Sequence, residues 1–345
     1  MRLTTLLLAT VVVSGCATGY EPTFPSTEGA ESETLHVLPV LHQEELAVQV
    51  VVADSSAATA QYGALGALVG AIVDSAVNNS RAKQAERKAE VLRQATADYR
   101  IMANFQEAIA TDSAGRGWSV ENIGPVSAEP DVRDQVKDVF ASSGVDTVVV
   151  LTATYEMVPS LDQVSVSIAQ EVYPRPDSGS TSRPKASSQR TFAYQSPYRE
   201  VEYRSFVEGE KDLIKASITR EYEQSITTQP DEEKDLRKAL AKELEELDEA
   251  TEIPEDIAIK ETWPANALAD YLDEAKSHLR YMIEFDWNER IVPEVDKEAL
   301  DEFYVVNALG VRAKTKGRKI AELDGNVVYR ASGGPMYSVP PAEIE

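Results

Sequence analysis

The chain has 345 residues, and 58 acidic against 34 basic side chains give a net charge of −24. Nucleic-acid binders neutralise phosphates with a basic footprint, so this balance argues against that class, and it makes the body repel anionic headgroups. A single cysteine excludes an internal disulfide and multi-thiolate metal sites, while 43% hydrophobic content over this length is enough to bury a core without staples.

The first element is a short export signal: Arg2 supplies a positive start, Leu6 to Val13 an apolar run, and Val13-Ser14-Gly15-Cys16 a small-residue cleavage site. An apolar run of about eight residues is too short to span roughly 30 Å of hydrocarbon, so it is not read as a transmembrane helix. Val13-Ser14-Gly15-Cys16 resembles the bacterial lipobox. The resemblance implies that residues 1–15 are removed and that the Cys16 thiol and the new amino terminus are acylated, with palmitate-type chains anchoring the protein in a membrane. Ala17 is not the aspartate that in such lipoproteins signals inner-membrane retention, so the resemblance implies the outer membrane, with the body facing the periplasm.

Residues 16–34 are rich in Pro, Ser and Glu and nearly devoid of aliphatic side chains, which predicts a disordered tether from the lipidated Cys16. Order is expected from Leu35 to Leu41, a strand that Pro39 confines to an edge or a bulge. Leu46, Val48, Val50 and Val52 then alternate at the period of a second strand.

Tyr62 to Val73 follow, with Gly63, Gly66 and Gly70 on one helical face, where small residues admit another backbone. Two readings stay open: a Gly/Ala-rich helix buried against the sheet, or a glycine zipper that oligomerises or meets a membrane. A phosphate-binding loop is not expected, because no Gly-Lys-Ser/Thr element follows. Leu92, Ala95, Tyr99, Met102, Phe105 and Ile109 predict a helix over 83–110, and 118–123 a short strand.

Asp131 opens a helix with Val132, Val136, Val139 and Phe140 on one face, closed by Gly144. Thr147 to Thr154 is a continuous apolar run, the pattern of a central strand covered on both faces, and it forms a hairpin with the alternating Val164, Val166, Ile168 and Val172. A low-complexity loop over 174–190, a strand pair over 191–206 and a helix over 210–228 come next. Leu236, Leu240, Leu244 and Leu247 stripe an acidic helix over 231–250, whose stripe serves either core packing or a partner seam, and 251–264 is expected to be a linker. The final elements are an amphipathic helix marked by Leu268, Leu272, Ala275, Leu279 and Ile283, a strand over 303–306, and a hairpin turning at Asp324-Gly325.

No catalytic, dinucleotide or metal motif occurs, and neither an enzyme nor a cofactor is expected. His36 and His42, beside Glu44 and Glu45, lack a spacing that fixes tetrahedral geometry, and His278 is expected on the solvated surface of its helix. Arg312, Lys314, Lys316 and Arg318 alternate and on a strand would face one side. They would form either a patch for an anionic partner, such as lipopolysaccharide phosphates or peptidoglycan, or a face neutralised by the protein's own glutamates.

The expected fold is α/β (α+β): a mixed sheet with the Gly/Ala-rich helix packed on it, plus a helical insert and a C-terminal β-hairpin. An α/β domain over 35–230 is followed by an acidic helical insert or linker over 231–262, and a helix with the hairpin over 263–345 completes the body. Leu46–Asp54 with the Gly-rich helix, and Asp146–Thr154 paired with Val164–Val172, resemble the small α/β domains of cell-envelope proteins. The curli secretion channel lipoprotein and the amino-terminal domain of the Tol translocation protein are examples. The resemblance implies a non-enzymatic envelope assembly or interaction module, held to the membrane through Cys16, whose partner is an envelope protein or a second copy. The alternative is an oligomeric channel or membrane-associated component using 62–73.

Overall fold

The computed structural model describes residues 33–41, 46–48, 88–93, 118–123, 132–176, 183–228, 230–288, 300–306, 312–331 and 334–341. Its strands are β1 Glu33–Leu41, β2 Ala47–Val48, β3 Trp118–Ile123, β4 Thr147–Met157, β5 Val164–Pro174, β6 Ser188–Gln195, β7 Asp301–Val306, β8 Arg312–Leu323, β9 Asn326–Ala331 and β10 Met336–Val339. Among the described residues these ten strands make one mixed sheet in the order β3-β1-β4-β5-β6-β10-β9-β8-β7, with β2 beside β4. The expected α/β class with a mixed sheet is therefore the class of the protein.

β4 is an interior strand with ten of its eleven residues buried, as a continuous apolar run requires when both faces are covered. It lies parallel to β1 and antiparallel to β5, and β5 is antiparallel to β6. β1 is flanked by β3 and β4, with a bulge between Leu35 and His36. β3 covers only Glu33 to Val37, so Pro39 lies beyond that pairing, where a missing N–H breaks no bond to β3. The first strand starts at Glu33, two residues before the expected Leu35: the Thr34 N–H donates to Asp146 Oδ2 at 3.1 Å.

One sheet face carries the main core. Helix α5 (Ala265–Asn288) lays Leu268, Leu272, Ala275, Leu279 and Ile283 on Val149, Leu151, Val166, Ile168 and Phe192, as its 3.6-residue stripe predicts. Trp263 closes this core and donates from Nε1 to the Leu161 carbonyl at 2.7 Å, in the β4–β5 turn where Leu161 has φ +60°. Helical residues 88–93 add Ala89 and Leu92. On the opposite face α1 (Val132–Ser142) packs Val136 and Phe140 over Val148, Val150 and Tyr173.

β10 joins the C-terminal strands to the rest, parallel to β6 and antiparallel to β9. β7 to β10 are one antiparallel meander that extends the main sheet, where the sequence predicted a strand over 303–306 and a terminal hairpin but not β10 or their union with the main sheet. The meander curls: Phe303 of β7 stacks on Tyr329 of β9 with centroids 4.3 Å apart and lies 6.0 Å from Tyr337 of β10. Gln195, at the end of β6, donates from Nε2 to the Val306 carbonyl at 3.4 Å, so the far strand returns toward the sheet's middle. The inside of the curl is filled by Phe303, Val305, Val327, Tyr329 and Val339.

Three segments depart from expectation. Residues 196–209 hold no second strand: Pro197 lacks a donor, and the Arg199 N–H donates to Asp162 O at 2.7 Å while its Nη1 reaches Thr262 O at 2.7 Å. Residues 251–264 contain helix α4 (Glu255–Thr262), ordered by burial of Ile253, Ala258, Ile259 and Trp263. The helical insert starts at 210: α2 (Glu210–Thr228) and α3 (Glu233–Glu249) form one hairpin that packs chiefly on itself. Its base is fastened where Arg204 pairs with both Glu210 and Glu261 and where Lys211 Nζ donates to the Asp248 and Ala250 carbonyls.

Candidate functional site

β8 presents the basic row as its alternation predicts: Arg312, Lys314, Lys316 and Arg318 are all exposed, on the face opposite the Phe303–Tyr329 stack. β7 lies antiparallel beside it with Glu302 opposite Lys316 and Tyr304 opposite Lys314. Glu302 meets two cations, Lys314 Nζ at 2.6 Å and Lys316 Nζ at 2.7 Å, and these hydrogen bonds pull its carboxyl down to about 2. The Arg312 guanidinium lies 4.8 Å from the Tyr304 ring centroid and 6.0 Å from that of Tyr198. One glutamate thus serves two of the lysines, and the row remains an exposed cationic strip edged by tyrosines. Sequence reasoning passes over Tyr304 and Glu302, although their alternation on β7 is the available signal.

A second constellation is buried. His278 of α5 has no exposure, which corrects its expected place on the helix surface. It lies three residues after Ala275 and four before Met282, on the core stripe. Its Nδ1 and the Ser338 Oγ of β10 are 2.7 Å apart, and Asn326 Nδ2 donates to Ser338 Oγ at 3.3 Å and to the Gln195 carbonyl at 3.0 Å. Nε2 faces Glu274 Oε1 at 3.8 Å and Asp324 Oδ2 at 3.7 Å, and the Tyr194 ring lies 5.2 Å away. Burial pushes the imidazole below its ordinary value, with Asp324 acting the other way, and burial raises the Glu274 carboxyl. Ser338 has no exposure and is enclosed between β6 and β9, so this hydroxyl–imidazole pair fastens α5 to the curl.

Near the other end of α5, Asp286 is fully buried and accepts from Arg330 Nη2 at 2.8 Å, with Arg190 Nε at 3.9 Å. His36 is buried in β1, its two ring nitrogens without a hydrogen-bond partner among the described residues and its basicity lowered by burial. Among the described residues no three His, Cys, Asp or Glu side chains come together as a metal site. Cys16, Gly63, Gly66, Gly70 and His42 lie outside the described residues, as does the Gly/Ala-rich helix expected on the sheet.

Protein-family models, curated proteins and solved structures contain no match to this chain.

Proposed function

We propose that the protein is a lipid-anchored outer-membrane lipoprotein of the periplasmic face that works by binding rather than by catalysis. The observation that carries this reading is the Val13-Ser14-Gly15-Cys16 sequence behind a short apolar run, in a chain whose only cysteine stands at the acylation position. A charge of −24 repels anionic headgroups, so attachment falls to the acyl chains, and two or three chains hold where one alone binds only marginally. No helix among the described residues is long and apolar enough to cross a membrane. The binding role is supported by the exposed strip of Arg312, Lys314, Lys316 and Arg318 with Tyr198 and Tyr304 at its edge, a combination suited to phosphate or carboxylate groups of an envelope partner.

Metabolic labelling with an alkyne fatty acid, followed by separation of inner and outer membranes, tests the reading. The chain should carry the label and sediment with the outer membrane, and Cys16→Ala should lose both. Label that persists in Cys16→Ala, or a wild-type chain recovered unlabelled from the periplasm, would overturn it.

A further inference from the structure

We propose that His278 is a pH-operated latch: a one-way chain of hydrogen bonds from β6 to α5 holds only while its imidazole is neutral, and proton uptake frees α5 from the curl. The latch goes beyond the lipoprotein reading and uses none of it.

The direction of the chain follows from groups that can act in one sense only. The Gln195 carbonyl at the end of β6 can only accept, so Asn326 of β9 must turn its amide nitrogen toward it, at 3.0 Å. The same Nδ2 donates to Ser338 Oγ of β10 at 3.3 Å. The hydroxyl therefore accepts on that side, and its own hydrogen is left for His278 Nδ1 at 2.7 Å. The reverse arrangement would bury a hydroxyl hydrogen without an acceptor, because Ser338 has no exposure. Nδ1 is thus the acceptor, and the proton of the neutral ring sits on Nε2. Gln195 Nε2 in turn reaches Val306 O at 3.4 Å, so the chain runs through α5, β10, β9, β6 and β7.

The ring also has a second place to bond. Nε2 stands 3.8 Å from Glu274 Oε1 and 3.7 Å from Asp324 Oδ2, and it has no hydrogen-bond partner among the described residues. Among those residues the titratable groups facing the ring are these two carboxyls, from α5 and from the β8–β9 turn, and Tyr194 of β6. β9 and β10 present the neutral Asn326 and Ser338.

A proton on Nδ1 turns that atom from acceptor to donor, against the Ser338 hydrogen that points at it. Asn326 can take this hydrogen on Oδ1 only by turning its amide, which deprives the Gln195 carbonyl of its donor. The imidazolium is at the same time drawn toward Glu274 and Asp324, where a small shift makes charge-assisted bonds. The Asp324 side chain is 71% exposed, so the ring moves toward solvent as it leaves Ser338. Burial, which holds the imidazole below its ordinary value, sets the release on the acid side of that value.

The test uses the lipidated full chain in detergent, with isotopically labelled histidine. Nuclear magnetic resonance of the His278 ring, identified by its contact with the Tyr194 ring, should show the proton on Nε2 at about pH 7.5 and protons on both nitrogens at about pH 5. Hydrogen exchange, corrected for the pH dependence of the chemical step, should show β9, β10 and the α5 turn around His278 losing protection over that range. The loss should be about tenfold or more, since two net hydrogen bonds are given up. β4 and β5 should keep their protection. His278→Asn puts an amide oxygen near the place of Nδ1 and cannot titrate, so its exchange should no longer respond to pH in this way. Should that variant not fold, the wild-type ring signals and exchange pattern still decide. A proton on Nδ1 and not on Nε2 at neutral pH overturns the proposal, as does equal protection at both pH values. So does a loss shared equally by β4 and β5, or a pH response that survives in a folded His278→Asn. None of these outcomes bears on acylation, so failure here is separable from failure of the lipoprotein reading.

Discussion

Arg175 closes the helix that Phe140 helps to anchor. The guanidinium of Arg175, just past the end of β5, lies 5.2 Å from the Phe140 ring centroid and donates to three carbonyls: Nη1 to Phe140 O at 3.0 Å, Nη2 to Ser143 O at 2.6 Å and Nε to Val145 O at 2.8 Å. α1 has no basic residue in its last turn, so the cation that its C-terminal dipole favours comes from a distant part of the chain. Gly144 has no positive φ, so the expected glycine closure is replaced by this clamp and by Ser143, whose Oγ donates to Val139 O at 2.7 Å.

Arg175→Ala should therefore destabilise the protein by about 1–2 kcal/mol, a range lowered because the side chain is partly solvated. Arg175→Lys should recover less than half, because an ammonium cannot span three carbonyls as a planar fork does. Urea denaturation of both variants checks this, and an unchanged midpoint for Arg175→Ala would remove the clamp's role.

Stability should fall on acidification because of His278. Unfolded, an imidazole takes up its proton near 6.5; folded, burial holds the group below that value. Between the two the unfolded chain binds the proton more tightly, so lowering the pH favours unfolding, at up to about 1.4 kcal/mol per unit of depression. His36 adds in the same direction. Glu274 opposes both, because its raised carboxyl gains a proton in the folded state first. Melting temperatures should thus drop less in His278→Gln than in wild type as the pH falls from about 7.5, and more in Glu274→Gln as it falls further toward the ordinary carboxyl value of 4.5. Parallel curves for all three would contradict the assignment.

Gly317 is required by contact and not by backbone twist. A Cβ there would lie 2.5 Å from the Arg330 carbonyl oxygen and 3.0 Å from the Phe303 ring. Gly317→Ala must push β8 from β9 and disturb the Phe303–Tyr329 stack, at a cost of about 1–3 kcal/mol. Near-ultraviolet circular dichroism should register the aromatic change alongside a lower melting point.

Asp286→Ala should be the most damaging of these substitutions. It strips a buried guanidinium of its partner at 2.8 Å, and breaking a buried ion pair on one side typically costs about 3–5 kcal/mol. Low soluble yield with loss of the cooperative transition is the expected result; near-wild-type stability would show that the charge on Arg330 is compensated elsewhere.

Elements whose signal is local could be seen in the sequence. The apolar run of β4, the α5 stripe and the Asp324-Gly325 turn, where φ values of +44° and +90° suit Asp and Gly, all depend on neighbours a few residues apart. β10 carries no such signal: it pairs locally with β9, but its place in the sheet is fixed by β6, more than a hundred positions earlier. α4 was hidden for a related reason, since burial of Ile259 and Trp263 against the main core decides its state and local propensity does not. Residue class misled at His278, where position on the stripe was the better guide. The basic row was legible because alternation on a strand fixes a face, but its pairing with Glu302 depends on the β7–β8 register.

The curl of β7 to β10 also governs how the molecule behaves among its own kind. An open sheet exposes two rows of unpaired amides, each a template on which another chain can add a strand. With Val306 turned back toward Gln195, the last strand of this sheet is folded toward its own middle, and a row of cations guards its outer face. At that edge crowded copies would then meet through side chains and not by strand-to-strand addition, which is the difference between a reversible contact and a fibre.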